Sequence, residues 1–144
     1  MRLLIPILLV ATLDLAHGYV RCKSPAKYVG QYLGRDQECV ALVQTMCHRS
    51  GHRPIGLTST WRRAVRVKKN CKKIPKFTAI ATFLGPNHHY DEPHLRQHTA
   101  IFYRCEKRGI RVYDQWRGHP IRFRLIPWKG RTAQYSGNNY YTIK

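Results

Sequence analysis

Five cysteines constrain the fold of this 144-residue chain more than any other feature, because an odd number cannot pair completely. In an oxidising compartment four of them are expected to form two disulfides, and three pairings of those four are open. We expect the pairs Cys47–Cys71 and Cys22–Cys105, which leave Cys39 as a free thiol. A disulfide at Cys39, with another cysteine left free, is the alternative.

The sequence around Cys39 gives this cysteine a reason to stay unpaired. Asp36 is a capping-type residue, and an apolar run through Val40 and Val43 follows it. This order predicts a helix over residues 36–50 with Cys39 in its first turn. Unpaired backbone amides and the positive end of the helix dipole favour a thiolate over a thiol at that position. Cys39 is therefore a candidate nucleophile.

Residues 1–18 predict a secretory signal peptide, because Arg2 is followed by a short apolar run, residues 3–13, and then by small residues. That run is too short to span a membrane, and no later segment approaches the length that a span needs. We therefore expect a secreted, monomeric protein with one domain over residues 19–144, large enough for one modest core.

The chain carries a net charge of +19, from 26 Lys and Arg residues against 7 Asp and Glu residues. Such a charge draws a protein to polyanions. For a secreted protein these are nucleic acids, anionic glycans or the anionic surface polymers of bacterial envelopes, and the charge alone does not choose among them. Basic residues are densest over residues 60–76, which form either a binding surface or simply a solvated face.

The second half of the sequence is rich in residues that favour β-strands, in runs separated by short turn signals. Lys107-Arg108-Gly109 predicts a three-residue hairpin loop with its glycine in the left-handed conformation. The predicted strands are residues 77–84, 98–105, 110–116, 121–126 and 140–143. One helix followed by an antiparallel β-meander is an α+β arrangement.

Three side chains fit thiol hydrolysis, which needs a nucleophile, an imidazole and a polar group that orients the imidazole. Cys39 is the first. His98 is the best second, because it opens a strand and so lies at a sheet edge, and Asp114 on the next strand is the best third. The alternatives are an ordinary surface histidine at 98 and a strand cap or surface ion pair at 114. The predicted loop places Asp114 across from Phe102, so a bulge or strand coiling must bring it to His98.

The sequence around these residues resembles the papain-like enzymes. HTAIFY at 98–103 is similar to their histidine strand, and DQW at 114–116 resembles their Asn-Ser-Trp. More closely, the chain is similar to the type VI secretion amidase effectors of family 2 and to their domesticated relatives in ticks and mites. The segments that carry this resemblance are QECVALV at 37–43, TW at 60–61, TAIATF at 78–83, HTAI at 98–101 and VYDQW at 112–116.

The resemblance implies a papain-like (NlpC-type) fold and hydrolysis of peptide amide bonds in bacterial peptidoglycan, without a cofactor. The bond associated with the family is the cross-link between D-alanine and meso-diaminopimelate. Cys39 then attacks the carbonyl carbon, His98 transfers protons, and Asp114 orients His98. The backbone N–H of Cys39 is one oxyanion donor, and Gln37 is a candidate second donor.

Two further residues take supporting roles in this resemblance. Gln115 follows the orienting aspartate, and Trp116 shields the hydrogen bond that His98 makes. The chain departs from the family pattern at Phe77, where the family tends to carry glycine, and at Gln97, immediately before the histidine. These departures leave the catalytic residues intact and concern the substrate groove.

Several potential metal ligands surround His98 and allow a zinc-site alternative. His94 and His98 are four residues apart, but Pro93 argues against the helix on which zinc proteases carry such a pair. We therefore expect a solvated loop and no metal. The potential ligands are His88, His89, Asp91, Glu92, His94 and His98.

The preferred hypothesis is a secreted antibacterial amidase. Its expected partners are peptidoglycan and the anionic surface polymers of bacteria, and not nucleic acid. Two other functions remain as alternatives: a cationic protein that binds and kills microbes without catalysis, and a secreted basic ribonuclease that uses histidines on a disulfide scaffold. Loss of activity on replacing Cys39 distinguishes the first hypothesis from the other two.

Overall fold

The computed structural model of the chain describes residues 18–90 and 96–144. Within these ranges it contains one α-helix, α1 (Cys39–Met46), which buries Leu42 and Val43 completely. The helix is shorter than the predicted 36–50. Most of the predicted signal peptide, residues 1–17, lies outside the described residues.

The helix begins later and ends earlier than its sequence pattern suggests. Glu38, with extended backbone angles, occupies the N-cap position, and the Asp36 carboxylate instead accepts a hydrogen bond from the Glu38 N–H at 3.0 Å. Cys39 is therefore the first helical residue, within the first turn as predicted. At the other end, Cys47 turns to an extended conformation and begins a strand. Sheet pairing thus overrides the helical pattern beyond Met46.

The strands of the described residues form one antiparallel sheet. They are β1 (Arg21–Cys22), β2 (Cys47–Arg49), β3 (Arg53–Pro54), β4 (Arg63–Arg66), β5 (Thr78–Thr82), β6 (Thr99–Glu106), β7 (Gly109–Trp116), β8 (His119–Pro127) and β9 (Tyr140–Ile143). Their order is β3-β2-β1-β5-β6-β7-β8, and β9 pairs with both β5 and β4. β6, β7 and β8 form the predicted meander, which confirms the α+β fold.

All five cysteines lie within the described residues, and the two disulfides are Cys22–Cys47 and Cys71–Cys105. The expected pairing was therefore wrong. Cys22 lies directly opposite Cys47 in the β1–β2 ladder, which brings their sulfurs together across two short strands. Cys105 near the end of β6 is close to the loop that carries Cys71. Cys39 is left as the free cysteine, as expected.

The β6–β7 hairpin also differs from the prediction. Glu106 pairs with Gly109, so the turn consists of Lys107 and Arg108 alone. A β-carbon at Gly109 would overlap the carbonyl oxygen of Ile126 on β8. The glycine is therefore required for the close approach of a neighbouring strand and not for a left-handed turn.

The core lies on both faces of the sheet, as the alternation of residues in β5 requires. On one face Ala79 and Ile101 pack in a cluster that includes Leu42 of α1. On the other face Ile80 packs in a cluster with Val67. The helix thus rests on one side of β5, β6 and β7, with its first residue near the ends of these strands. Among the described residues, no helix has the length and apolar character that crossing a membrane requires.

Candidate active site

A buried contact between His98 and Asp114 forms the centre of the site. His98 Nε2 lies 2.7 Å from Asp114 Oδ2, and both side chains are shielded from solvent. His98 immediately precedes β6, and its backbone N–H is held by the Thr82 hydroxyl on β5 at 3.0 Å. Two strands therefore fix the imidazole in position.

A change of register between β6 and β7 makes this contact possible. After the two-residue turn the ladder carries a bulge, beyond which Ile101 pairs with Tyr113. One residue further along β7, Asp114 falls diagonal to His98 on the same face of the sheet. Without the bulge and with the predicted loop, Asp114 would face Phe102. The bulge is the feature that the sequence analysis required.

Cys39 completes the group of three predicted residues. It is the first residue of α1, is 8% exposed, and lies close enough to His98 to raise the pKa of that imidazole. The hydroxyl oxygen of Tyr90 lies 3.7 Å from Cys39 Sγ, within hydrogen-bonding reach of a sulfur. Tyr90 is itself buried against Trp61, with ring centroids 5.2 Å apart. The structure thus places an imidazole and a phenol around one free thiol.

The pKa of His98 is set by opposing effects. Burial lowers the pKa of His98, but hydrogen bonds to Asp114 and to Cys39, together with the negative charge of both groups, raise it to about 9. The imidazole is therefore protonated at neutral pH. An imidazolium held between a carboxylate and a thiol is the state in which a histidine can stabilise a thiolate and later release a proton.

Arg124 on β8 is a site residue that the sequence analysis missed. Its Nη2 lies 2.7 Å from Asp114 Oδ2, and its Nε lies 2.9 Å from each carboxylate oxygen. Burial raises the pKa of Asp114, but hydrogen bonds and charge from His98 and Arg124 outweigh it and lower that pKa. Asp114 is therefore ionised and fixed between two cations. Nothing in the linear sequence links Arg124 to Asp114, because the contact depends on the register of β7 with β8.

Aromatic rings cover the histidine on its other side. The ring of Trp116 meets that of His98 edge-on with centroids 5.7 Å apart, and Tyr135 lies 5.4 Å away. The guanidinium of Arg124 lies over both rings, at 4.9 Å and 5.2 Å from their centroids. Trp116 is thus in a position to shield the His98–Asp114 contact, whereas Tyr135 carries no signal in the sequence pattern.

Gln115 connects the sheet to the segment that precedes the nucleophile. Its side-chain N–H groups donate to the carbonyls of Leu33 at 2.7 Å and Glu38 at 2.9 Å, and its carbonyl accepts from the Leu33 N–H at 2.9 Å. Both hydrogens of its amide are used by the backbone, so Gln115 supports the approach to Cys39 and does not face a substrate oxygen.

The remaining sequence-predicted residues lie around this centre. Gln37 is exposed two residues before Cys39, with a left-handed φ of 63°. Phe77 also has φ 63°, which explains why glycine suits this position in the family pattern. Gln97 accepts from the Thr82 hydroxyl at 3.0 Å and donates to the His89 carbonyl at 3.1 Å. Gln97 therefore anchors the loop before β6 rather than the imidazole itself.

The metal-site alternative receives no support from the described residues. Residues 18–90 and 96–144 contain no group of three or more His, Cys, Asp and Glu side chains able to hold a metal ion. Three of the potential ligands, Asp91, Glu92 and His94, lie outside those ranges. His98 is engaged by Asp114 and Cys39.

The arrangement of these three groups defines the papain-like class of fold. The thiol lies at the start of a helix, the imidazole before one strand of an antiparallel sheet, and the carboxylate on the next strand. The sequence model of the domesticated amidase effector 2 family matches residues 10–143. This chain belongs to that family.

Three similar proteins support the assignment. The domesticated amidase effector 2 of Ixodes scapularis is 43% identical over 129 residues, which cover 87% of this chain and 84% of the relative. The type VI secretion amidase effector 2 protein of Salmonella typhi is 32% identical over 99 residues, which cover 69% and 68%. The solved structure of a type 6 secretion amidase effector 2 aligns with a TM-score of 0.71 at 25% identity, and covers 88% of this chain and 94% of its own.

Proposed function

We propose that this protein is a secreted, cysteine-dependent amidase that hydrolyses peptide cross-links of bacterial peptidoglycan. The amidase names of its relatives support the reaction class. The observation that carries the proposal is the buried His98–Asp114 contact of 2.7 Å beside the free Cys39. No other cysteine is available, because the remaining four of the five are paired.

Catalysis proceeds through an acyl-enzyme. The Cys39 thiolate attacks the carbonyl carbon of the scissile amide, and the carbonyl electron pair moves onto oxygen. The backbone N–H of Cys39, which begins α1 and so has no partner within the helix, donates to that oxygen, and Gln37 is the second donor. Collapse of the intermediate expels the amine, which takes a proton from His98.

Water completes the reaction. His98, now neutral, accepts a proton from a water molecule that attacks the thioester, and the Cys39 thiolate leaves as the peptide carboxylate forms. Asp114 holds the ring in one orientation and balances its charge in both steps, while Trp116 keeps water away from their contact.

The proposed substrate is the bond between D-alanine and meso-diaminopimelate in cross-linked peptidoglycan. Support for it comes from the resemblance to the family 2 effectors, with Phe77 and Gln97 as departures that concern the groove. Mass spectrometry of digested muropeptides identifies the bond directly, because cleavage there separates cross-linked dimers into monomers with a new D-alanine carboxylate. Cleavage at any other amide leaves different masses.

We further propose that residues 1–18 are removed on secretion and that residues 19–144 form the mature domain. Two disulfides are what an oxidising compartment permits. The N-terminal sequence of the protein recovered from a secreting animal cell tests this, and a start near Tyr19 is the expected result.

Replacing Cys39 with alanine tests the enzymatic proposal. We expect Cys39→Ala to lower turnover on purified peptidoglycan by at least about a thousandfold, because the attacking atom is gone. Binding to peptidoglycan should change little, and the variant should remain folded. A cationic binding protein or a ribonuclease would keep its activity in this variant, so retained killing or RNA cleavage with no loss would reject the amidase.

His98→Gln and His48→Gln form a matched pair for the second catalytic group. Both replace one histidine with an uncharged side chain, but His48 lies on β2, away from Cys39. The proposal requires that only the first variant lose turnover. Equal activity in both variants would remove His98 from the mechanism.

A further inference from the structure

A dense group of exposed lysines follows β4. Residues 68–76, here called the lysine loop, lie against the end of the sheet opposite His98. The exposed lysines of this loop are Lys68, Lys69, Lys72, Lys73 and Lys76.

The lysine loop is held in one conformation by a buried side chain, a hydrogen bond and a disulfide. Ile74 is buried beneath it, and the Asn70 side chain donates to the Arg66 carbonyl at 2.8 Å. The Cys71–Cys105 disulfide ties the middle of the loop to β6. Because the backbone is fixed, the lysines are presented together without the entropy cost of ordering a loop on binding.

The positive charge of the loop is not neutralised within the described part of the protein. No ion pair formed by residues 18–90 and 96–144 includes a lysine of the loop. The nearby carboxylate, Glu106, is already bound by Arg104 at 2.9 Å and Arg111 at 2.8 Å. The loop therefore leaves a local excess of positive charge.

The β6–β7 turn extends this basic face. The indole N–H of Trp128 donates to the carbonyl of Lys107 at 3.2 Å, and Lys68 Nζ lies 5.6 Å from the Trp128 ring centroid. Lys107 and Arg108, both exposed, are thus next to the loop. Cations from two separate segments converge on one surface.

Two clefts open on this surface. One of about 350 Å³ is lined by residues 68–73 alone. The other, of about 370 Å³, lies between the loop and β6, where Lys72, Lys76 and Arg104 contribute to its lining. Their sizes suit small anionic groups spaced along a chain rather than one bulky ligand.

We propose that the lysine loop is a docking site for a flexible phosphodiester polymer of the bacterial envelope, of the teichoic-acid type. A lysine ammonium group is a compact point charge that can donate hydrogen bonds to a phosphate approaching from many directions. Rigid, bidentate recognition of a phosphate uses arginine instead. A flexible polymer with a phosphate in each repeat can fill both clefts in succession. The identity of the polymer rests on the proposed function, which places the protein at a bacterial wall.

The aromatic rings of this surface argue against nucleic acid as the ligand. Single-stranded nucleic acids bind by stacking bases on open aromatic faces. Here Lys76 Nζ lies 4.2 Å from the Tyr103 ring centroid and Lys68 Nζ lies 5.6 Å from that of Trp128, so a lysine covers one face of each ring. The surface offers charge and little stacking area.

The docking site lies far from the catalytic residues. His98 precedes β6 and Cys105 lies near its end, and an extended strand of that length spans about 24 Å. A polymer bound at the loop therefore does not block the access of substrate to Cys39. It would keep the enzyme at the wall while the site hydrolyses successive cross-links.

Four substitutions in the loop and four elsewhere form a matched test. The loop variant is Lys68→Gln, Lys69→Gln, Lys72→Gln and Lys73→Gln. The control variant, Lys23→Gln, Lys27→Gln, Arg53→Gln and Lys144→Gln, removes the same charge from exposed positions outside the loop. Both are made in the full chain and compared by thermal unfolding, and the double variant K72Q/K73Q replaces the loop variant if the latter fails to fold.

The measurement is binding of purified teichoic acid as a function of salt. We expect the loop variant to lose at least about tenfold in affinity and its plot of log Kd against log salt to flatten by about 0.7 for each lysine lost. The control variant should keep affinity within about twofold. Equal losses in the two variants would mean that only net charge matters and would overturn the proposal.

Heparin and single-stranded DNA are the competing probes. The proposal expects both to bind the wild-type protein more weakly than teichoic acid at equal charge concentration. Preference for heparin would assign the loop to sulfated glycans, and preference for DNA would assign it to nucleic acid; either result overturns the proposal.

Two control measurements keep this proposal separate from the amidase proposal. The loop variant should hydrolyse soluble muropeptides at the wild-type rate, because its substitutions are remote from Cys39. Conversely, Cys39→Ala should bind teichoic acid normally. Loss of binding in the loop variant with intact turnover therefore supports the docking site whatever bond the enzyme cuts.

Discussion

Arg124 and Asp114 form a bidentate ion pair. This pair fixes the carboxylate on which the orientation of His98 depends. The guanidinium contacts both oxygens of Asp114 from β8, at 2.7–2.9 Å. A fully buried carboxylate is costly unless it is paired and hydrogen-bonded. Arg124 and His98 together meet that requirement.

Removing Arg124 should therefore reduce both stability and turnover. We expect Arg124→Met, which keeps the length of the side chain, to lower the free energy of unfolding by about 3–5 kcal/mol at pH 7, because Asp114 loses one of its two cations. Chemical denaturation measures this change. Arg122→Met is the control, since Arg122 is an exposed neighbour on β8.

Arg124→Met should also change how the free energy of unfolding depends on pH in the acidic range. The pKa of Asp114 is lowered in the folded protein, so its stabilising contribution is present above the unfolded-state pKa and is lost as the pH falls through the folded-state pKa. Arg124→Met removes part of that lowering. Its loss of stability below pH 4 should be shallower than in the wild type, and parallel curves for the two proteins would contradict the assigned role.

The raised pKa of His98 predicts a second pH dependence of the unfolding free energy, at alkaline pH. The pKa of His98 is raised to about 9 in the folded protein, so its contribution to stability is complete below pH 6.5 and is lost as the pH rises towards 9. We expect the wild type to lose about 3 kcal/mol of unfolding free energy across this window. His98→Gln should lack this loss, and Cys39→Ala, which removes one hydrogen-bond partner, should show a smaller one.

The sequence predicted the parts of this protein that depend on local pattern. β-rich runs located the meander, and the chemistry of thiol hydrolysis selected Cys39, His98 and Asp114, which the structure brings together. The same pattern gave the α+β class, and the family resemblance supplied the papain-like fold. The strand inferences succeeded because strand alternation is visible within a short window, whereas the catalytic roles of the three residues stay a prediction.

The features that the sequence missed all depend on register or on long-range pairing. The helical pattern ran on past Met46, but pairing between β1 and β2 ends the helix there. The disulfide partners follow from the same pairing, since Cys22 meets Cys47 only once those strands align. Arg124 and Tyr90 reach the site from segments whose positions no local pattern determines.

Gln115 should be essential for positioning Cys39, although it does not contact the thiol. Its amide joins β7 to the carbonyl of Glu38, the residue before the nucleophile. Gln115→Glu places a carboxylate against two carbonyl oxygens, so we expect a loss of about 2–4 kcal/mol in stability. Because the variant shifts the helix start and leaves the substrate surface intact, kcat should fall more than KM changes.

The control for Gln115 is Gln134→Glu, which makes the same chemical change at a partly exposed position. Kinetics on soluble muropeptides and denaturation of both variants separate a local effect from a general one. A Gln115→Glu protein with wild-type kcat and reduced stability would show that the connection holds the fold but does not position the nucleophile.

Tyr90 should tune the reactivity of the Cys39 thiol. Its hydroxyl lies 3.7 Å from Sγ in a buried environment, and a hydroxyl that donates to the sulfur there stabilises negative charge on it more strongly than it would in water. We expect Tyr90→Phe, which keeps the packing against Trp61, to lower the rate of thiol alkylation at pH 7 by about 3- to 10-fold, in proportion to one weak hydrogen bond. Tyr19→Phe, a partly exposed tyrosine that packs with the cluster on the other face of the sheet from α1, is the control and should leave that rate unchanged. Alkylation followed across pH isolates this effect from folding and from substrate binding, because the reagent reports only the sulfur. An identical pH profile in Tyr90→Phe and the wild type would show that the phenol packs beside the nucleophile without acting on it.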